Sequence, residues 1–162
     1  IHIDDTGAIT ASQLCNRARK CHMQHGVDLI VVDYLHLMSS DNPKANSHQD
    51  ISERTKALKA LARQLNVPVV ALSQLNRSVE QRADKRPMLS DLRESGAIEE
   101  DADVVLFLYR DDYYNPETEF KNLAEIIIAK HRNGATGTVS TYFRKHLTQF
   151  MDLEVRKKTL EF

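Results

Sequence analysis

Residues 29–38 read LIVVDYLHLM, four consecutive apolar side chains closed by Asp33. A run this short and this rich in Val, Ile and Leu predicts a buried strand, with its carboxylate at the strand's carboxyl end. Comparable runs occur at 1–4, 67–73, 104–109, 123–130 and 138–143, separated by segments of helical period. That alternation predicts an α/β fold with a mostly parallel sheet flanked by helices. The runs at 29–33, 67–73, 104–109 and 123–130 lack the polar alternation of half-solvated strands, so burial on both faces is expected.

The first helix should start at Thr10, where Gln13 can close a capping box, and stop at Gly26, with Leu14, Ala18 and Cys21 as its apolar stripe. The second should run over 49–65, burying Ile51, Leu58, Leu61, Ala62 and Leu65, and be stopped by Asn66 and Pro68. Residues 39–47 read as an exposed loop. The irregular stretch 76–96 is too long for an ordinary connection, which points to function.

At 162 residues and 41 % apolar composition, one compact unit is expected. The 22 basic and 23 acidic residues nearly cancel, so any contact with nucleic acid must come from a local patch. No apolar stretch reaches the roughly 18 residues of a membrane span, and residues 1–10, IHIDDTGAIT, lack the regions of a signal peptide. A soluble, cytoplasmic protein without membrane contact is expected. Cys15 and Cys21 fall about 120° apart around a helix, against a disulfide. No spacing of the structural-zinc kind occurs.

Open α/β sheets bind ligands beyond the carboxyl ends of their strands, where Asp33 lies. A charge at the tip of a buried strand needs compensation, and a hydrated Mg²⁺ would supply it, the arrangement of a Walker B carboxylate; capping the following turn is the plainer use of such a residue. The run VPVVALSQLNR (67–77) ends in Ser73, Gln74 and Arg77 at the same predicted sheet edge. Gln74 is neutral and both donates and accepts, which suits sensing a phosphate or a water, although a satisfied amide at a helix start would read the same. The segment KHRNG (130–134) ends another apolar run, and residues 128–148 hold Lys130, Arg132, Arg144 and Lys145 with no acid. By itself this pattern also describes a solvated basic turn.

Four stretches, LIVVDYLHLM (29–38), LNVPVVALSQLNRSVEQRADKRP (65–87), SDLRESGAIEEDADVVLFLYRDDYYNP (90–116) and IIIAKHRNGATGTV (126–139), together resemble the C-terminal motor domain of the DnaB family of replicative DNA helicases. The resemblance covers residues 1–154 in order, and leaves 155–162 as a tail. It implies a RecA-like ATPase core, incomplete at its N-terminal side, that uses ATP and Mg²⁺ within a homohexameric ring. That ring would translocate on single-stranded DNA, with primase and a helicase loader as partners.

By the same resemblance, Asp33 is the Walker B aspartate, holding Mg²⁺ through water. Gln74 couples the γ-phosphate to the DNA-binding loops. Arg93, Glu94 and Gly96 belong to a loop facing the central channel, and Lys130 and Arg132 enter the active site of the adjacent subunit. A guanidinium there is commonly worth about 10³ to 10⁵ in rate. Residues 77–93 carry Arg77, Arg82, Lys85, Arg86 and Arg93 against Glu80, Asp84 and Asp91, a bias that fits gripping a few phosphates per subunit.

The phosphate-binding pattern G-x-x-x-x-G-K-[ST] does not occur in the 162 residues, and in the family it lies upstream of the matching region. The chain alone is therefore expected to bind ATP weakly and to be inactive. Two other readings stay open: a non-catalytic fragment limited to subunit contact and weak DNA binding, and a related RecA-like ATPase of recombination or of a phage replisome. Ala135, His36, Ala97 and Glu100 stand where the family commonly has Pro, Gln, Ser and Gln. Glu100 adds a negative charge that should weaken any grip on DNA. The motor reading expects Asp33, Gln74, Lys130 and Arg132 along one rim of a single sheet.

Overall fold

The computed structural model describes residues 1–42, 44–92 and 95–153. Where one compact unit is expected, the chain divides into two, Ile1–Ala102 and Asp103–Phe162.

In the first unit, helix α1 (Ala11–His25) starts as its sequence dictates. Thr10 Oγ1 accepts from Gln13 N–H, and Gln13 Oε1 accepts from Thr10 N–H, satisfying two donors that a helix start otherwise leaves open. The helix ends at Gly26, whose φ of 69° suits a residue without Cβ. Its fully buried positions are Ala11 and Cys15. Leu14, Ala18 and Cys21 are only half-buried, so the stripe is turned from the expected one. The small Ala11 and Cys15 side chains let α1 lie close to helix α2 (Ser47–Leu65), where Cys15 Sγ donates to the Ala57 carbonyl at 3.8 Å. Asn46 caps α2 by accepting from Gln49 N–H at 2.8 Å, and left-handed Asn66 ends it. Ile51, Leu58 and Leu61 are buried as expected.

Strands β1 (Ile30–Val32) and β2 (Val69–Ala71) pair in parallel, with Ile30 beside Val69 and Val32 beside Ala71. Val32 is 6 % exposed, whereas Val31 and Val70, on the opposite face, are 58 % and 50 % exposed. The expectation of burial on both faces does not hold for this pair. The expected strand at 1–4 does not form either. Instead Asp4 takes both its carboxylate oxygens to Arg17, at 2.9 and 2.8 Å. The Arg17 guanidinium first, and Thr6 after it, hold the Asp4 carboxyl down at about 2. Helix α3 (Ser95–Asp101) is tied to α2 by Thr55 Oγ1, which donates to Asp101 Oδ2 at 2.6 Å.

In the second unit, β3 (Val104–Tyr109), β4 (Leu123–His131), β5 (Gly137–Arg144) and β6 (Gln149–Met151) form a four-stranded sheet in sequence order, antiparallel throughout. The mostly parallel order expected from the apolar runs is therefore confined to β1 and β2. The reason is connection length: short turns can join only antiparallel neighbours, because a parallel crossover needs a dozen or more residues. Strand β3 alternates along its length. Val105, Phe107 and Tyr109 are buried, while Val104, Leu106 and Leu108 are exposed.

The short helix α4 (Asp111–Tyr114) carries Asp112, whose side chain is nearly inaccessible. Asp112 accepts from Asn122 N–H at 3.0 Å, pairs with Lys145 at 2.8 Å and with Arg110 at 3.1 Å. Arg110 lies 4.4 Å over the Phe143 ring.

Candidate functional site

The parallel pair brings Asp33 and Gln74 together. Leu72 N–H donates to the Val32 carbonyl at 2.9 Å, and Leu35 N–H donates to the Leu72 carbonyl at 3.0 Å. The turn after β1 thus hooks over the end of β2. An open recess of about 370 Å³ forms there, lined by Asp33, Tyr34, Leu72, Ser73 and Gln74. The peptide joining Asp33 to Tyr34 is cis.

Asp33 is exposed, so water solvates its carboxylate and its charge does not by itself demand a cation. A different feature suits one. The Ser73 hydroxyl is buried and has no hydrogen-bond partner among the described residues. Buried hydroxyls are ordinarily satisfied, so an orphan beside a carboxylate and an amide leaves room for a bound water or ligand oxygen. Carboxylate, hydroxyl and amide oxygens are the hard donors that a hydrated Mg²⁺ takes. The residues therefore fit that ion, with Asp33 and Ser73 nearest in chemistry. Sequence reasoning put Ser73 at this edge without a role, since burial of its oxygen is a tertiary property.

Lys130 and Arg132 lie at the end of β4 in the second unit, not on the β1–β2 pair, so the single-sheet rim is not found. Lys130 pairs with Val105 across the ladder. Arg132 N–H donates to the Asp103 carbonyl at 2.8 Å, and its guanidinium meets Asp103 Oδ1 at 3.3 Å with both side chains about half exposed. An exposed pair of this kind is worth at most about 1 kcal/mol, so it steadies Arg132 without immobilising it. Gly134 sits in the following turn. A Cβ there would come within 2.4 Å of the His131 ring, so glycine leaves the ring its place.

Of the loop residues, Arg93 and Glu94 lie outside the described residues. Gly96 falls in the first turn of α3 and is exposed. Ala97, at 5 % exposure, is a core position. Among the basic residues of 77–93, Arg82 is already committed. It donates to both carboxylate oxygens of Asp91, at 2.9 and 2.7 Å, and to the Arg86 and Asp84 carbonyls. That basic bias is therefore smaller than its count of charges. Among the described residues, no group of three or more His, Cys, Asp or Glu is placed to hold a metal, and no helix is long and apolar enough to cross a membrane.

Comparison with known proteins covers nearly the whole chain. The family described as DnaB-like helicase C terminal domain matches residues 1–152. The replicative DNA helicase DnaB of Geobacillus stearothermophilus is 57 % identical over 157 residues, 96 % of this chain and 35 % of that protein. The replicative DNA helicase DnaC of Bacillus subtilis (strain 168) is 55 % identical, with the same coverage. The chain thus spans about a third of the length of these relatives.

Among solved structures, an isolated ATPase domain superposes with a TM-score of 0.86 at 48 % identity, over 90 % of this chain and 52 % of that one. A DnaB-like replicative helicase, studied with its interactions with primase, superposes equally well over 90 % of this chain and 35 % of that one. The fold is thus the α/β, RecA-like fold of these ATPase domains, its parallel and antiparallel sheets included. The chain belongs to the DnaB-like helicase C-terminal domain family.

Proposed function

We propose that this chain is the part of a ring-shaped replicative helicase motor that completes the ATP site and carries its signal to single-stranded DNA. The observation that carries the reading is the recess shared by Asp33, Ser73 and Gln74 at the ends of two parallel strands. In an α/β sheet this is where a nucleotide's phosphates are met.

Asp33 and Ser73 would hold the waters of a Mg²⁺ ion, which when bound neutralises charge on the β- and γ-phosphates. Gln74 donates to or accepts from the γ-phosphate or its attacking water without adding charge, so its contact is lost when that phosphate leaves. Lys130 and Arg132 act on the ATP of the adjacent subunit in a homohexamer. Arg132 leaves its weak pair with Asp103 and donates to oxygens on which charge develops as the phosphoryl group transfers. Arg93, Glu94 and Gly96 meet the DNA backbone in this reading. Primase is a partner, as the neighbouring helicase described with primase suggests, and a loader and a cytoplasmic setting follow from the same family.

The test is Arg132→Ala in the full-length protein. DNA-stimulated ATP turnover should fall by about 10³-fold or more while ATP affinity is kept. A variant that hydrolyses ATP at the parent's rate would remove the in-trans assignment.

A further inference from the structure

The segment between Gln74 and the loop at 93–96 is closed on itself. Leu75, one residue after Gln74, forms an isolated antiparallel bridge with Leu92, the residue before position 93. Beside that bridge, Asn76 N–H donates to the Asp91 carbonyl at 2.7 Å. The Asp91 side chain is 5 % exposed, which is costly for a carboxylate unless every oxygen is met. Here each oxygen is met. Oδ1 and Oδ2 accept from Arg82 Nη1 and Nη2 at 2.9 and 2.7 Å, and Oδ2 also accepts from Met88 N–H at 2.8 Å. Arg82 in turn donates from Nη2 to the Arg86 carbonyl at 2.8 Å and from Nε to the Asp84 carbonyl at 3.3 Å. The paired fork thus gathers residues 76, 82, 84, 86, 88 and 91 around one charge pair.

We propose that Arg82 and Asp91 are positioning residues, a clamp that makes Gln74 and the start of the 93–96 loop move as one piece. This rests on the helicase reading above and names the parts that transmit its signal. With the clamp closed, a shift at Gln74 crosses a single bridge to Leu92. With it open, the same shift dissipates in the intervening loop. Neither residue touches nucleotide or DNA in this scheme, because Arg82 spends its donors on Asp91 and two carbonyls.

The experiment uses the full-length protein with Arg82→Gln, Asp91→Asn and the conservative Arg82→Lys, comparing ATP turnover without DNA and across a titration of oligo-dT. Coupling between two sites is commonly worth about 5- to 150-fold. Arg82→Gln and Asp91→Asn should keep DNA-free turnover within about twofold of the parent and lose about tenfold of the stimulation by DNA. Arg82→Lys, which keeps the charge and one donor to Asp91, should recover most of it. Stimulation equal to the parent's in Arg82→Gln and Asp91→Asn overturns the clamp. So does a parallel fall of DNA-free and DNA-stimulated turnover together with melting temperature, since that marks a merely structural pair. A parent that DNA does not stimulate sinks the helicase reading itself and the clamp with it, and is told apart because it needs no variant.

Discussion

Arg54, buried on α2, donates from Nη1 to the backbone carbonyl of Leu35 at 2.8 Å, two residues beyond Asp33. The same guanidinium pairs with Asp50, one turn earlier on the helix. The turn that carries Asp33 is therefore fastened to the helix packed beneath it. Removing one partner of a buried pair typically costs about 3–5 kcal/mol, because the other charge is stranded. Arg54→Met should cost about 3 kcal/mol in denaturant unfolding, and adding Asp50→Leu should restore part of it. Strictly additive losses in the two variants would show that no such coupling exists.

Acid should weaken the second unit through Asp112. Burial pushes its carboxyl up, but Lys145, the Asn122 N–H and Arg110 together outweigh this and hold it below the ordinary 3.8. A carboxyl depressed by folding contributes stability that is complete above its unfolded value and is lost as pH falls through the folded one. Melting temperature should therefore decline from about pH 5 downward, and Asp112→Asn should flatten that slope. Because Lys145 is half exposed, Asp112→Ala at neutral pH should cost about 2–3 kcal/mol rather than the full value of a buried pair.

Thr55→Val replaces the hydroxyl that joins α2 to Asp101 by a methyl of similar size. It leaves the Asp101 carboxylate without that donor, and about 1–2 kcal/mol should be lost. Urea unfolding with an unchanged m-value would check it.

The two cysteines should differ in reactivity. Cys15 is buried, and burial pushes its thiol above the ordinary 9.0, so little thiolate forms near neutral pH. Cys21 is only partly covered. Iodoacetamide followed by mass spectrometry should find Cys21 alkylated first and Cys15 modified only as the fold opens.

Gln74→Ala should leave ATP affinity unchanged and remove most of the stimulation of turnover by DNA. Fluorescent nucleotide titration together with ATPase assays on the full-length protein would measure both. A large loss of nucleotide affinity would make Gln74 a binding residue instead of a sensor.

Much of this was legible residue by residue. The capping box at Thr10 and Gln13, the stop at Asn66 and the apolar face of α2 are local, because a helix end or stripe depends on neighbours within a few positions. Asp33 and Gln74 could be paired from sequence because each follows an apolar run, and runs that end in polar groups tend to finish at one sheet edge. The reading of parallel order failed at β3 to β6 because strand composition says little about partner direction; the short connections carried that information.

The sequence by itself determined where helices begin and end, which runs become strands, and which family the chain resembles. These depend on periodicity, capping chemistry and long motifs, all read along the chain. Only the tertiary structure decided that the Ser73 oxygen is buried without a partner, that Arg82 is consumed by Asp91, and that Leu75 meets Leu92. Each of those depends on which atoms distant in sequence are brought within hydrogen-bond reach, and that distance is set by packing.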